Sequence, residues 1–307
     1  MSQETIERSF DVGSPAKLKL RNIRGKIELL PGEEGVITVT AVKHSSNCDD
    51  ERTTIEIEQD DDGRVVVKTD YVNSIPNWFG LNRPCKVDYT VRMPKDCEAR
   101  VSGVSSEISA RGLDGQIDLN AVSGLMNLSE LSGNLKISTV SGAIMAEKLT
   151  GELDANSVSG KMRVTESQLS RAVVKTVSGS MVLQTPLEDG PYTFKGVSGS
   201  AMLVVPEDTA CTAQFHSVSG RMRSSLPISK DDRHGSRGSM EIQGGGVDVS
   251  YNCVSGSFKI VTAENEVIRE TKIAQEPASP PVNQMEILKK IETGEISVEE
   301  ALKELNA

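Results

Sequence analysis

One tripeptide constrains this chain more than any other feature. Val-Ser-Gly recurs at Val122-Ser123-Gly124, Val140-Ser141-Gly142, Val158-Ser159-Gly160, Val177-Ser178-Gly179, Val197-Ser198-Gly199, Val218-Ser219-Gly220 and Val254-Ser255-Gly256, at steps of 18 to 21 residues before a longer last interval. Leu113-Asp114-Gly115, Leu131-Ser132-Gly133 and Leu149-Thr150-Gly151 echo it at the half-step. The working period is therefore about nine residues, two halves to a turn. Counted from the glycine, each half reads G-x-Φ-x-Φ-x-x-Φ with Φ apolar. Gly133 is followed by Leu135, Ile137 and Val140, Gly142 by Ile144, Ala146 and Leu149, and Gly151 by Leu153, Ala155 and Val158. The alternation predicts a short strand with one buried face, and the glycine supplies a corner that a β-carbon resists. Leu135, Ile144, Leu153 and Met162 are expected in the core.

Successive halves of this kind cannot form a hairpin meander without reversing register at every corner. Coiling stacks apolar residue on apolar residue and glycine on glycine in each turn, so the expected fold is all-β, a β-solenoid. The frame survives where the tripeptide erodes: Cys211 precedes Ala213, Phe215 and Val218, and Cys97 precedes Ala99, Val101 and Val104. From Ala99 to Ile260 the count is about eight two-strand coils, a column on the order of 40 Å long at the interstrand spacing. Leu18, Leu20, Ile23, Gly25, Ile27 and Leu29 fit the same frame, so the N-terminal region starts the solenoid or caps it.

Four segments follow from this reading: an N-terminal β cap with a first coil over 1–98, the repeat region over 99–262, a linker over 263–281 and a helical hairpin over 282–307. In the cap, VITVTAV, TTIEIEQ and RVVVKT read as strands, the last two joined by a solvated Asp60-Asp61-Asp62-Gly63 turn that lacks the ligand spacing of a calcium loop. Residues 225–246 are polar and glycine-rich, a mobile loop or protruding hairpin. In the last segment Met285, Leu288 and Ile291 line one helical face and Gly294 ends it. Ser297 with Glu300 then opens a second helix carrying Val298, Ala301, Leu302 and Leu305. A hairpin this small has no core of its own and must dock on the solenoid, a second copy or another protein, so a protein partner or self-association is expected there.

Five Phe, one Trp and four Tyr leave the core to aliphatic residues, which suits thin stacked layers. A formal charge of −10 opposes a polyanion, so nucleic acid is not an expected ligand. MSQETIERSF lacks the order of a secretory signal, and no run approaches the roughly 18 apolar residues of a membrane span. The expected location is cytoplasmic or peripheral to the membrane. Five cysteines without close-spaced pairs are expected as free thiols, a Cys85–Cys97 bridge across CKVDYTVRM being the competing reading.

Little in the chain points to catalysis. His44, His216 and His234 are not spaced for a metal, and Gly244-Gly245-Gly246 lacks the Lys and Ser or Thr of a phosphate loop. No cofactor is expected. His216 alternates with Phe215 and is expected to face solvent. Ser123, Ser141, Ser159, Ser178, Ser198, Ser219 and Ser255 form a hydroxyl ladder along one edge. It either hydrogen-bonds a regular polymer such as a glycan or serves as turn chemistry. Trp78 and Phe79, in YVNSIPNWFGLN, make either a binding loop or a lid over the first coil.

The Val-Ser-Gly coils, the preceding Val87–Lys95 segment VDYTVRMPK and the late rung GGGVDVSYNCVSG from Gly244 to Gly256 together resemble the bacterial family labelled putative adhesin, domain of unknown function 4097. The resemblance covers most of residues 15–262. The terminal ILKKIETGEISVEEALKEL, Ile287 to Leu305, is similar to the short helical module that accompanies this domain in some cell-envelope stress proteins, where it commonly stands at the N-terminus. The resemblance implies a non-enzymatic interaction scaffold, in envelope stress or membrane-associated regulation, with no catalytic residues to carry over. Two other readings stand beside it: an exported surface adhesin that binds glycans, and a polysaccharide-processing enzyme built on a β-solenoid. Against the enzyme, no carboxylate cluster repeats on one sheet face.

Overall fold

Nearly every 18-residue repeat forms one long bent strand, and these strands pair in parallel. The computed structural model describes residues 3–45, 51–71, 84–235 and 237–264. The cap contains β1 (Gln3–Asp11), β2 (Ala16–Pro31), β3 (Val36–His44), β4 (Thr53–Gln59), β5 (Val65–Tyr71) and β6 (Lys86–Met93). The coils are β7 (Asp96–Arg111), β8 (Asp114–Ser129), β9 (Ser132–Glu147), β10 (Thr150–Thr165), β11 (Gln168–Gln184), β12 (Tyr192–Val205) and β13 (Cys211–Ser224). A hairpin, β14 (Ile228–Asp231) and β15 (Arg237–Ile242), precedes a last coil, β16 (Val247–Thr262).

Register follows the sequence frame. Leu135 lies opposite Leu153 and Ile144 opposite Met162, glycine meets glycine, and all four of these apolar side chains are at most 3% exposed. Each coil bends twice. At the Val-Ser-Gly corner the glycines take φ values such as +134° at Gly124 and +156° at Gly142. At the other corner Glu130, Lys148 and Glu166, none of them glycine, take φ of 54°, 54° and 49°. That left-handed residue turns Leu131 and Leu149 inward, where both are buried.

The two corners therefore treat the third apolar position differently. Leu149, seven residues after Gly142, is buried. Val140, seven after Gly133, is not: it and its equivalents stand 45–77% exposed. No left-handed residue immediately precedes Val140, so strand alternation continues from buried Leu135, Ile137 and Thr139 and turns the valine outward. Thr139, and likewise Ser157 and Thr176, takes the inward place instead.

At the cap, β2 is a complete coil in register with β7, and its halves part company on the far side: the first pairs with β5, the second with β6. β4 completes an antiparallel hairpin with β5, closed by the Asp60 turn, whose carboxylate accepts from the Asp62 and Arg64 N–H groups. β3 and β1 continue from β6, antiparallel. Buried Tyr89 of β6 spans the gap, its hydroxyl 2.7 Å from Thr69 Oγ1 of β5.

The other end departs from a simple winding. β16, last of the described strands, lies between β12 and β13, parallel to both. Within residues 225–246 the hairpin alternative forms, β14 pairing with β15, and it is tied back because β15 pairs antiparallel with the first half of β13. The scarce aromatic residues gather at this displacement: Tyr251 stacks on Phe258 with centroids 4.9 Å apart and on Phe215 at 5.9 Å. Along the open edge of β13, Arg233 Nη1 donates to Met222 O, which covers part of that edge.

Cys97, Cys211 and Cys253 are free, but Cys85 is disulfide-bonded, which corrects the expectation of five thiols. Its partner is not Cys97. That residue points into the core, and burial pushes its thiol up to about 12. Cys48 and the whole of 265–307 lie outside the described residues, and with them the expected C-terminal helices. Among the described residues no helix is long and apolar enough to cross a membrane.

Candidate ligand-binding trough

The outward turn of the valines creates the main concave feature of the described surface. A trough of about 1290 Å³ is lined in β7 to β13 by the same three consecutive positions, the valine and the two residues before it; β16 adds Asn252 and Cys253, and β2 adds Arg21, Asn22 and Ile23. Alternation sets its cross-section. The valines, Val104, Val122, Val140, Val158, Val177, Val197 and Val218 in spatial order, form one wall. The outward residues two places earlier, Ser102, Asn120, Ser138, Asn156, Lys175, Lys195, Asn252 and His216, form the other. The residue between faces inward and contributes backbone to the floor. From Lys68 and Asp70 on β5 to Arg237 on β15 the lining crosses eleven paired strands, about 50 Å at ~4.8 Å per strand.

Its polar groups are largely committed. Asn120 donates to Asp118 at 2.7 Å and Asn156 to Asp154 at 2.9 Å, each within its own strand. Lys68 is held by Asp70 and, at 3.9 Å, by Glu56; the hydrogen bond to Asp70 raises its pKa. Lys175 reaches Asp154 at 3.7 Å. Arg21, Lys195 and Arg237 have no acid within ion-pair distance among the described residues. Thus a chain of net charge −10 keeps five cations and one acid, Asp70, along this strip. Beneath the floor Thr139 Oγ1, Ser157 Oγ and Thr176 Oγ1 are buried without hydrogen-bond partners.

The predicted serine ladder is present at the same corner but outside the trough. Ser141, Ser159, Ser178, Ser198, Ser219 and Ser255 are exposed, and Ser123 is half-buried, its Oγ donating to Val104 O. His216 is exposed on its strand, as expected, and joins the trough wall. Trp78 and Phe79, and Leu288, Ile291, Leu302 and Leu305, lie outside the described residues. Sequence reasoning missed the valine wall, treating the corner valine as one more apolar position of the frame. A signal was available: inward positions vary freely among Leu, Ile, Ala, Met and Phe, whereas the corner keeps valine in every coil from Val104 to Val254. Such constancy at an apolar position is more than filling a core requires.

Residues 16–261 match the family described as Toastrack DUF4097. Among solved structures the chain is similar to a putative adhesin from Parabacteroides merdae ATCC 43184, at 12% identity and TM-score 0.43, covering 84% of this chain and 95% of that one. It is similar also to a putative cell adhesion protein from Clostridium sporogenes ATCC 15579, at 11% identity and TM-score 0.28, covering 84% and 100%. A putative adhesin from Parabacteroides distasonis ATCC 8503 is similar at 9% identity and TM-score 0.30, covering 85% and 97%. No curated protein matches the chain.

Proposed function

Starting from a chain that belongs to the Toastrack DUF4097 family, we propose that the protein is a non-enzymatic binding scaffold of adhesin type, a stiff column that holds an extended ligand along its trough. The observation that carries this reading is the trough itself, the same apolar wall repeated in coil after coil from Val104 to Val218, about 34 Å of a lining about 50 Å long. Its chemistry favours binding over turnover. Among the described residues lining it, Asp70 is the only acid and is tied to Lys68, so the facing pair of carboxylates that glycoside hydrolysis requires is missing.

The test uses the full chain and a Val140→Asp, Val158→Asp variant on isolated bacterial envelopes. Because both valines are exposed, the variant is expected to fold with an unchanged thermal midpoint. Retention of the native chain and loss of the variant are expected; equal retention of both would refute the trough as binding surface. The proposal includes assembly through residues 282–307, using the apolar positions Leu288, Ile291, Leu302 and Leu305. Deleting that segment is then expected to lower the mass in solution.

The location proposed is the membrane periphery on the cytoplasmic side, within an envelope-stress system. A second reading, an exported surface adhesin, is favoured by the Cys85 disulfide, since such bonds persist in oxidising compartments. Protease added to intact cells separates the two, cleaving only the exported form.

A further inference from the structure

We propose that the trough seats one long-chain fatty acid, its acyl chain along the valine wall and its carboxylate beside Lys175 and Lys195. This deepens the binding reading above and rests on it. Three observations lead to it. First, a volume of about 1290 Å³ spread over roughly 50 Å leaves a cross-section of about 25 Å². That admits a single extended chain and is narrow for a helix, whose diameter is ~10–12 Å.

Second, the four rungs from Val104 to Val158 carry no charge in the trough, and the outward row beside them is Ser102, Asn120, Ser138 and Asn156. Both asparagine amides are engaged with their own strands. This stretch of about 14 Å offers a ligand apolar surface and few free hydrogen bonds, which suits an alkyl chain and not a glycan.

Third, the next two rungs bring Lys175 and Lys195 side by side, and Arg237 stands further along. Cations kept in a groove of an acidic protein, Lys195 and Arg237 with no acid in ion-pair reach among the described residues, complement an anionic head at the end of the apolar stretch. The proposed occupant has one chain, a fatty acid; a two-chain lipid is an outcome of the test.

The probe is palmitate, titrated into the full chain below the concentration at which it forms micelles and followed calorimetrically. Saturable one-to-one binding is expected, weakened on the order of tenfold or more by Lys175→Glu with Lys195→Glu and by Val140→Asp with Val158→Asp. Palmityl alcohol, which lacks the carboxylate, is expected to bind about tenfold more weakly. Absence of saturable binding, equal affinity for the alcohol, or affinity indifferent to both pairs of substitutions would overturn the proposal. So would binding to phosphatidylglycerol vesicles with none to palmitate. If palmitate fails while envelope retention still depends on Val140 and Val158, the scaffold reading stands and the acyl assignment falls. If retention is also indifferent, both fall.

Discussion

Gly142 shows what a single position contributes to the winding. Its φ is +156°, and a β-carbon placed there would stand 2.0 Å from the carbonyl oxygen of Gly124 in the coil below. The glycine is required by the approach of two backbones as well as by its dihedral, and relief would need the coils to separate. Gly142→Ala is therefore expected to cost more than about 2 kcal/mol in denaturant unfolding, well above a helix-interior exchange. Thr176 has the opposite sign. Its buried hydroxyl has no partner, so Thr176→Val removes an uncompensated desolvation and is expected to stabilise by about 1 kcal/mol, read as a raised thermal midpoint. The pattern of small residues at 139, 157 and 176 was visible in the sequence, but their inward direction was not.

At the level of elements, the two ends of the column are secured by different means. At the cap, Asp88 of β6 accepts from the backbone N–H of Lys26 on β2, lies 2.8 Å from His44 Nε2 on β3 and is bonded by Lys86 Nζ. Burial alone would raise its pKa, but the hydrogen bonds from Lys86, Lys26 and His44 together outweigh burial and lower it. A carboxylate with a depressed folded pKa adds stability above its unfolded value, near 3.9, and loses it as pH falls through the folded value. Acid unfolding of the native chain is thus expected to carry a component below about pH 4 that Asp88→Asn lacks, measurable as a flatter dependence of midpoint on pH. At the far end β16 is the only described strand joining β13 to β12. Val249→Asp, placing a charge in the core of β16, is expected to release β13, β14 and β15 as one unit in hydrogen exchange while β7 to β10 stay protected. Simultaneous loss of protection everywhere would contradict a nearest-neighbour column.

Over the described molecule the repeat separates the core from the proposed binding surface. The inward ladder carries the cohesion, and the valine wall carries exposed apolar surface. Ile144, 1% exposed, has packing partners on every side, so Ile144→Ala is expected to cost about 2–4 kcal/mol in urea unfolding. Val140 is 47% exposed and already in contact with solvent. Val140→Ala is expected to change stability by no more than roughly 0.5 kcal/mol in the same measurement.

The winding was legible from residue order because its causes are local. Period-two alternation chooses a buried face and glycine every nine residues permits the corner, so Leu135, Ile144, Leu153 and Met162 could be placed from the sequence alone. Three things were decided only in three dimensions. Val140 and Leu149 share one spacing from their glycines, yet only the left-handed backbone at Lys148 turns the second inward. The place of β16 was decided by pairing with β12, where Ser250 meets Thr193 across 57 residues of sequence, a choice for which its own pattern holds no preference. The trough, finally, belongs to no single repeat: one exposed valine is an ordinary surface residue, and stacking at ~4.8 Å makes a row of them a wall.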